Sequence, residues 1–261
     1  MDKVSAYIIA LNEEYKIREA IESVQWADEV IILDSESTDG TKGIARSMGA
    51  RVVQVPFKGF GALRNTAIGC CSYDWIFSLD ADERCTPEVR DEIRATIAGP
   101  GDKNAFCVPR RNYFMGRWIR YSGWYPDYRQ PQLFRKGKLR YKADAVHEGY
   151  EVDGGIGYLQ NAIWQFPFRD LSEVLRKAQR YSSLGAEKMA KKGVKASMTK
   201  ALIHGIWGFL RMFLLKRGFL DGWAGFVIAL STFEGTFYRY AKLAEQQREW
   251  NIPPGPHGTL I

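Results

Sequence analysis

Two aspartates separated by one alanine follow directly after an apolar segment, Trp75–Leu79, which is predicted to be a buried strand. In an open α/β sheet, ligands bind outside the carboxyl ends of the strands, so carboxylates at this position face a site and not the core. Asp80 and Asp82 can both reach one hard cation, and Mg²⁺ or Mn²⁺ prefers such oxygen ligands together with phosphate oxygens. The pattern therefore indicates a metal-bound nucleotide.

The same acidic segment has a purely structural interpretation. It suits a solvated turn between a strand and a helix, in which Asp82 or Thr86 is the helix N-cap before Pro87. A motif this short often arises by chance, so the segment alone leaves both interpretations open.

Strands and helices alternate in the residues before this motif. Segments 4–11, 29–33 and 51–55 are predicted strands, and apolar residues at helical spacing follow them. Such alternation with short connections predicts an α/β fold in which helices cover a parallel sheet. Asp34 follows the second strand at the same sheet edge as the aspartate pair. Alternatively, Asp34 is a turn residue whose side chain forms a hydrogen bond with the backbone of the turn. Arg64 lies in a predicted helix, where a solvated position is the alternative to a functional one.

The composition is that of a globular protein with an uneven charge. The 261 residues are 46% hydrophobic and 26% charged, and the formal net charge is +7. Residues 1–170 carry 23 Lys and Arg against 24 Asp and Glu, whereas residues 171–261 carry 14 against 6. The C-terminal excess indicates contact with nucleic acid, anionic lipid or an acidic acceptor. No recognised nucleic-acid module is visible, so nucleic acid is not an expected partner.

Several short motifs, in order along the chain, resemble those of a known enzyme family. The first set resembles the donor half of family 2 glycosyltransferases, which have the GT-A (Rossmann-like) fold with a mixed, mostly parallel sheet. Its members are Asn12–Glu14, Trp26–Glu29, Asp34–Thr41, Arg64–Asn65 and Leu79–Glu83. The second set is similar to the subgroup of lipopolysaccharide core β-glucosyltransferases. Its members are Arg111–Arg120, Gly123–Asp127 and Val146–Glu148.

This resemblance implies that the sheet edge holds a nucleotide-diphosphate sugar, with Mg²⁺ or Mn²⁺ bridging its phosphates to the aspartate motif. Asp82 is then the direct metal ligand, and Asp80 contacts the ribose or a metal-bound water. The remaining residues that the resemblance assigns to the nucleotide are Asn12, Glu13, Asp34, Ser35 and Arg64, with Asp34 and Ser35 at the base. Family members often carry a later histidine near the metal or diphosphate, where this chain has Gln165.

An inverting transferase needs a carboxylate or imidazole that removes the proton from the acceptor hydroxyl. By the order of the motifs Glu148 is our first choice for this base and Asp127 is the second. Glu148 also suits a surface ion pair of little energetic value, and His147 is either a ligand, a residue that orients Glu148, or a packed imidazole.

The predicted organisation is a GT-A domain at residues 1–170, with a donor half at 1–104 and an acceptor half at 105–170. A helical region at 171–250 and a flexible tail at 251–261 follow. Basic residues at 186–200 flank apolar segments at 201–215 and 219–233, a composition typical of interfacial membrane helices. A hairpin buried on the catalytic domain or in a homodimer is the alternative. With no signal-peptide pattern and no apolar run of transmembrane length, we expect a cytoplasmic enzyme on the inner face of the cytoplasmic membrane.

The leading functional prediction is metal-dependent, inverting transfer of glucose from UDP-glucose to a lipopolysaccharide core or related glycolipid. A family 2 transferase with another nucleotide-sugar donor, acting in capsule, exopolysaccharide or protein glycan assembly, is the alternative. A nucleotide-sugar hydrolase or nucleotidyltransferase would leave the aromatic, arginine-rich acceptor segment unexplained. A non-enzymatic membrane-binding protein would leave the acidic motifs unexplained.

Overall fold

The computed structural model describes residues 2–142 and 149–248. The chain divides into two compact units, of which the first contains Met1–Trp118 and Trp124–Pro167. The second unit contains Ile119–Gly123 and Phe168–Ile261. The short segment at 119–123 therefore belongs with the C-terminal helices, whereas the predicted border at residue 170 placed it in the first domain.

The first unit is built on a mixed sheet. Its strands and those of the two smaller sheets are β1 Val4–Ala10, β2 Glu29–Asp34, β3 Arg51–Gln54, β4 Trp75–Asp80, β5 Glu83–Arg84, β6 Lys103–Cys107, β7 Arg110–Phe114, β8 Arg117–Trp118, β9 Pro131–Arg135, β10 Leu139–Tyr141, β11 Tyr150–Val152, β12 Gly155–Tyr158 and β13 Ile163–Gln165. Within the described residues, the main sheet has seven strands in the order β12-β6-β9-β4-β1-β2-β3. Only β9 runs antiparallel to its neighbours in this sheet. A four-stranded sheet has the order β5-β13-β7-β8, and β10 pairs with β11.

The register of the parallel strands brings their carboxyl ends together. All seven residues of β1 are buried, as expected of a central strand that helices cover on both faces. Ala10 at the end of β1 pairs with Asp34, and Ile9 pairs with Asp80 on the other side. Asp34 and Asp80 therefore end the two strands that flank β1, at one edge of the sheet.

Four helices connect these strands: α1 Ile17–Val24, α2 Thr41–Ser47, α3 Phe60–Cys70 and α4 Pro87–Ala98. The helix after the aspartate motif begins at Pro87, and Thr86 is its N-cap because the Thr86 side chain accepts a hydrogen bond from the Val89 amide. Asp82 is thus not the cap that the structural interpretation of the motif allowed. The carboxylate of Asp82 is not used to start a helix.

Helix α3 packs very closely on β10. A Cβ atom at Gly61 would lie far inside van der Waals distance of the Lys142 carbonyl oxygen, so only glycine allows this approach. Next along the contact, the Asn65 side chain accepts from the Tyr141 amide at 2.9 Å and donates to the Tyr141 carbonyl at 2.8 Å. These contacts fix the position of α3, the helix that carries Arg64.

The second unit is helical. It comprises α5 Leu171–Lys191, α6 Met198–Leu210, a π-helical turn Arg211–Leu215, a 3₁₀ turn Gly218–Asp221 and α7 Gly222–Gln246. Asp170 is the N-cap of α5, because its side chain accepts a hydrogen bond from the Glu173 amide. None of the described helices is both long enough and apolar enough to cross a lipid bilayer.

Asp221 explains why residues 119–123 belong to the helical unit. Its buried carboxylate accepts from the backbone amides of Arg120 and Tyr121, both at 3.1 Å, and from the Ser122 hydroxyl at 3.0 Å. The Ser122 amide in turn donates to the Lys216 carbonyl at 2.9 Å. One buried acid thus satisfies donors from a segment about 100 residues earlier in the chain.

Candidate active site

The first feature of the site is an ion pair between a strand end and a helix. Arg64 donates to Asp80 Oδ1 at 2.8 Å and to the Ser78 hydroxyl at 3.1 Å. Its guanidinium lies 5.6 Å from the Tyr141 ring centroid, and the residue is buried. The alternative prediction, in which Arg64 lies on a solvated face of the helix, is therefore wrong. Burial alone would raise the pKa of Asp80, but the charges of Arg64 and Arg110 lower it below its usual value. Asp80 is therefore in its charged form, and its negative charge is balanced by Arg64.

Asp82 lies in a different electrostatic environment. Its carboxylate oxygens are 3.3 and 3.4 Å from the amide nitrogen of Gln165, and its carbonyl accepts from the Phe166 amide at 2.8 Å. Burial and the nearby charge of Asp80 raise the pKa of Asp82 to about 6. A cation placed at this carboxylate would relieve the same repulsion.

The donor atoms around Asp82 fit a hard cation that is completed by other oxygens. In residues 2–142 and 149–248, no group of three or more His, Cys, Asp and Glu side chains could hold a metal ion. The Gln165 amide faces Asp82 with its nitrogen, so its oxygen does not complete the set. Carboxylate oxygens, with phosphate and water, are ligands that Mg²⁺ and Mn²⁺ accept.

A second group of polar atoms lies at the end of β2. Asp34 Oδ2 accepts from the Ser37 amide at 3.1 Å and from the Gln54 side chain at 3.4 Å. Asp34 Oδ1 and the Ser35 hydroxyl are both buried, and neither has a partner in the described part of the chain. Because an unpaired buried polar atom is costly, this pair of atoms is suited to a polar ligand such as a nucleobase.

Asn12 and Glu13 connect the two loops that border this position. Asn12 has a positive φ of 55°, and its side-chain oxygen accepts from the Thr38 amide at 2.8 Å. The Asn12 amide donates to Ser37 Oγ and the Glu13 amide to Thr41 Oγ1, both at 2.9 Å. The structure thus shows both residues shaping the loops next to Asp34.

The described candidate for the catalytic base is Asp127. Its carboxylate is half-buried and forms an ion pair with Arg129 at 2.8 Å. The other candidate, Glu148, and its neighbour His147 lie outside the described residues.

Comparison with known proteins decides the family. Residues 5–166 match the family model described as "Glycosyl transferase family 2". The chain belongs to glycosyltransferase family 2. The predicted fold class, an α/β GT-A fold with a mixed, mostly parallel sheet and C-terminal helices, is confirmed. The chain is accordingly an enzyme of the transferase class.

Two curated glycosyltransferases are similar to this chain over nearly its whole length. An uncharacterised glycosyltransferase of Rickettsia felis is 32% identical over 256 residues, which are 94% of this chain and 90% of that protein. The lipopolysaccharide core biosynthesis glycosyltransferase LpsC of Rhizobium meliloti is 30% identical over 254 residues, 93% of this chain and 92% of that protein. The resemblance inferred from the motifs is therefore confirmed at the level of the family.

A solved structure is similar over a smaller part of the chain. It is glucosyl-3-phosphoglycerate synthase from Mycobacterium tuberculosis, in complex with Mn²⁺, UDP and glucosyl-3-phosphoglycerate. The match has a TM-score of 0.39 and 28% identity, and it spans 42% of this chain and 44% of that chain.

The structure of this family 2 enzyme also contains a buried ion pair that the motifs did not reveal. Glu83 pairs with Arg110 beneath the aspartate motif, and both side chains are fully enclosed. The one signal in the sequence is the alternation of β7, in which Arg110, Asn112 and Phe114 all face inward. Because arginine side chains are rarely buried in proteins, this alternation does not by itself predict a buried Arg110.

Proposed function

We propose that this family 2 glycosyltransferase transfers glucose from UDP-glucose to a hydroxyl of a lipopolysaccharide core or related glycolipid, with inversion and with Mg²⁺ or Mn²⁺ as cofactor. The observation that carries the proposal is the contrast within the aspartate motif. Asp80 is neutralised by Arg64, whereas Asp82 contacts an uncharged amide and has a raised pKa. A half-buried carboxylate of this kind is suited to a divalent cation next to a diphosphate.

In the proposed donor site, Asp34 Oδ1 and Ser35 Oγ bind the base. Uracil presents one N–H donor between two carbonyl acceptors, which matches one carboxylate oxygen beside one hydroxyl. Asp80 binds the ribose, and its ion pair with Arg64 holds it in place. The two buried atoms without partners support this assignment, because a bound base would satisfy both.

The transfer is one displacement at the anomeric carbon. The acceptor oxygen forms a bond to that carbon as the bond to the UDP phosphate oxygen breaks, and the acceptor proton goes to a carboxylate. Glu148 is the first choice for this base and Asp127 the second. A divalent cation, when bound, neutralises the charge that develops on the departing diphosphate.

Aromatic rings and arginines near β7 support a sugar-phosphate acceptor. Tyr113 lies 5.3 Å from the rings of both Trp164 and Phe166, and the Arg111 guanidinium lies 4.7 Å from the Trp118 ring. Flat rings bind the C–H faces of sugars, and arginines bind phosphate. The relative LpsC is named for lipopolysaccharide core biosynthesis, which agrees with this acceptor class.

The helical unit supports peripheral attachment to an anionic membrane. Residues 188–233 contain eight Lys and Arg and a single acid, Asp221, which is buried. Large apolar side chains are exposed in the same segment. They are Met198, Leu202, Ile203, Ile206, Trp207, Leu210, Leu214, Leu215, Phe219, Leu220, Trp223 and Leu230. Exposed Trp, Phe and Leu side chains beside basic ones are typical of surfaces that bind the bilayer interface.

Two experiments test these proposals. In the first, UDP release from UDP-glucose with Mn²⁺ should occur only when a truncated core glycolipid is present. Release without this acceptor would indicate a hydrolase. Absence of UDP release with UDP-glucose, and of nucleotide release with any other nucleotide-sugar donor, would refute the proposed transfer. The full-length protein should sediment with vesicles that contain anionic phospholipid, and Trp223→Ser should reduce the bound fraction. Dimerisation without vesicle binding would assign the apolar surface to a homodimer.

A further inference from the structure

The ion pair of Glu83 and Arg110 is the most deeply buried pair of charges in the described part of the chain. The side chains are 0% and 1% exposed, and Arg110 Nε donates to Glu83 Oε1. Glu83 lies on β5 and Arg110 on β7, the two strands that flank β13 in the small sheet. The pair therefore joins two strands that are not neighbours.

The acidic partner holds the aspartate motif. Glu83 Oε2 accepts from the backbone amide of Asp80 at 2.9 Å and from the Gln132 side chain at 2.8 Å. The first bond closes the turn that begins at Asp80 and ends at Glu83, and Asp82 lies inside this turn. The direction of the Asp82 carboxylate thus depends on where the Glu83 carboxylate lies.

The basic partner holds the segment 124–127, which contains the second candidate for the base. Arg110 Nη1 donates to the carbonyl of Asp127 at 3.4 Å. Two residues along the same strand, the Asn112 side chain donates to the carbonyl of Trp124 at 3.0 Å. Strand β7 thus binds both ends of the segment through buried side chains.

We propose that Glu83 and Arg110 are positioning residues that set the aspartate motif and the segment 124–127 in one fixed geometry. The inference rests on the proposed function in assigning the metal to Asp82 and the acceptor to the side of Asp127. A buried ion pair contributes little net stability compared with apolar residues, because desolvation offsets the attraction. Its hydrogen bonds to two backbone segments give it a different use, which is orientation.

The test compares Glu83→Gln with a matched control in the same unit, Glu29→Gln. Glu29 is also a largely buried glutamate paired with an arginine, Arg51, but it lies at the amino end of β2, away from the aspartate motif. Hydrogen exchange measured by mass spectrometry reports the backbone of 79–86 and 124–130, and calorimetry with MnCl₂ and UDP reports metal-dependent binding. Initial rates give kcat and KM separately.

For folded Glu83→Gln we expect faster exchange in both segments, Mn²⁺ affinity weaker by about 10-fold, and kcat lower by about 10- to 100-fold. Glu29→Gln should leave all of these unchanged. Unchanged exchange and Mn²⁺ affinity in Glu83→Gln, with only a lower melting temperature, would overturn the proposal.

A second variant covers the case in which the unpaired arginine prevents folding. Glu83→Gln combined with Arg110→Gln keeps two hydrogen-bonding side chains without charge, and it should show the same exchange pattern. If neither variant folds, the pair serves stability and the proposal is wrong. Failure of the wild-type protein to bind UDP with Mn²⁺ would refute the proposed function instead. The exchange data would still test whether Glu83 and Arg110 position the two backbone segments.

Discussion

Arg64 and Asp80 form an ion pair in which the arginine side chain is 3% exposed and the aspartate side chain is 30% exposed. The buried guanidinium of Arg64 thus contacts the carboxylate of Asp80 from the interior of the protein. The rest of that carboxylate stays accessible to solvent or to a ligand. The arginine therefore holds Asp80 in its charged form without covering it, whereas Asp82 contacts the uncharged amide of Gln165.

Replacing Arg64 should weaken donor binding. In Arg64→Met, Asp80 loses its counterion and repels both Asp82 and the diphosphate, so we expect the Kd for UDP with Mn²⁺ to rise at least 10-fold. The free energy of unfolding should fall by about 1 to 3 kcal/mol, as for other losses of a charged hydrogen bond. Calorimetry and urea unfolding measure the two effects. Thr66→Ser, on an exposed position of the same helix, is the control and should match the wild type.

Asp82→Asn should abolish the effect of metal on donor binding. The amide keeps the size of the side chain but removes the charge that attracts the cation, so UDP with Mn²⁺ should no longer raise the melting temperature. Glycosyl transfer should fall below detection. A variant that kept full transfer activity would contradict the assignment of Asp82 as the metal ligand.

The two candidates for the base should separate by their kinetics. If Glu148 removes the acceptor proton, Glu148→Gln lowers kcat by about 10²- to 10⁴-fold and leaves UDP binding with Mn²⁺ unchanged. Asp127→Asn should then have the smaller effect, because Arg129 already pairs with its carboxylate. The opposite order of effects would move the base to Asp127.

Two glycines of α3 should respond in opposite ways to alanine. In Gly61→Ala the new methyl group collides with the Lys142 carbonyl, and overpacking of this kind costs about 1 to 3 kcal/mol. The helix also moves, so UDP affinity should fall because Arg64 moves with it. Gly69→Ala, which meets no atom within 4 Å, should stabilise the protein by up to about 1 kcal/mol. Equal unfolding free energies for the two variants would contradict the close contact.

Glu29 should contribute to stability in a way that depends on pH. Burial raises its pKa, but hydrogen bonds from Ser72 and Ser5 and the pair with Arg51 lower it below its usual value. Because the folded pKa is the lower one, this stabilisation is present above the pKa of the unfolded chain and is lost as the pH falls through the folded pKa. Glu29→Gln should therefore lower the melting temperature at pH 7, and the difference from the wild type should shrink as the pH falls through the folded pKa of Glu29. A constant difference would show that the charge is not responsible.

The alternating strands and helices of the first hundred residues could be predicted because each is local. Apolar residues at positions 17, 20, 21 and 24 are all buried on one face of α1, as their spacing indicates. The antiparallel position of β9 between β4 and β6 could not be predicted, since its residues pair with residues 24 to 60 positions earlier in the chain. On α5, helical spacing alone does not indicate which residues are buried, because Val174 is buried whereas Leu171 and Tyr181 are exposed.

The site could be predicted in part for the same reason. Asp34, Asp80 and Asp82 follow recognisable strands, so their shared edge follows from the strand order. Gln165 donates to Asp82, whereas Arg110 and Gln132 donate to Glu83, which in turn accepts from the Asp80 amide. These three donors are far away in the chain from the aspartate motif. Only the folded chain shows that these polar side chains are buried together.

The bonds that Asp221 makes with residues 120–122 make the helical region impossible to treat as a removable extension. A deletion after Pro167 would take away the acceptor for two backbone amides and one hydroxyl in the middle of the remaining chain. Such a truncated protein would be expected to misfold or aggregate even if its sugar-transfer residues were all present. Loss of activity on truncation would therefore not test whether the helical region binds membranes. Single surface substitutions such as Trp223→Ser distinguish a loss of membrane attachment from a loss of folding.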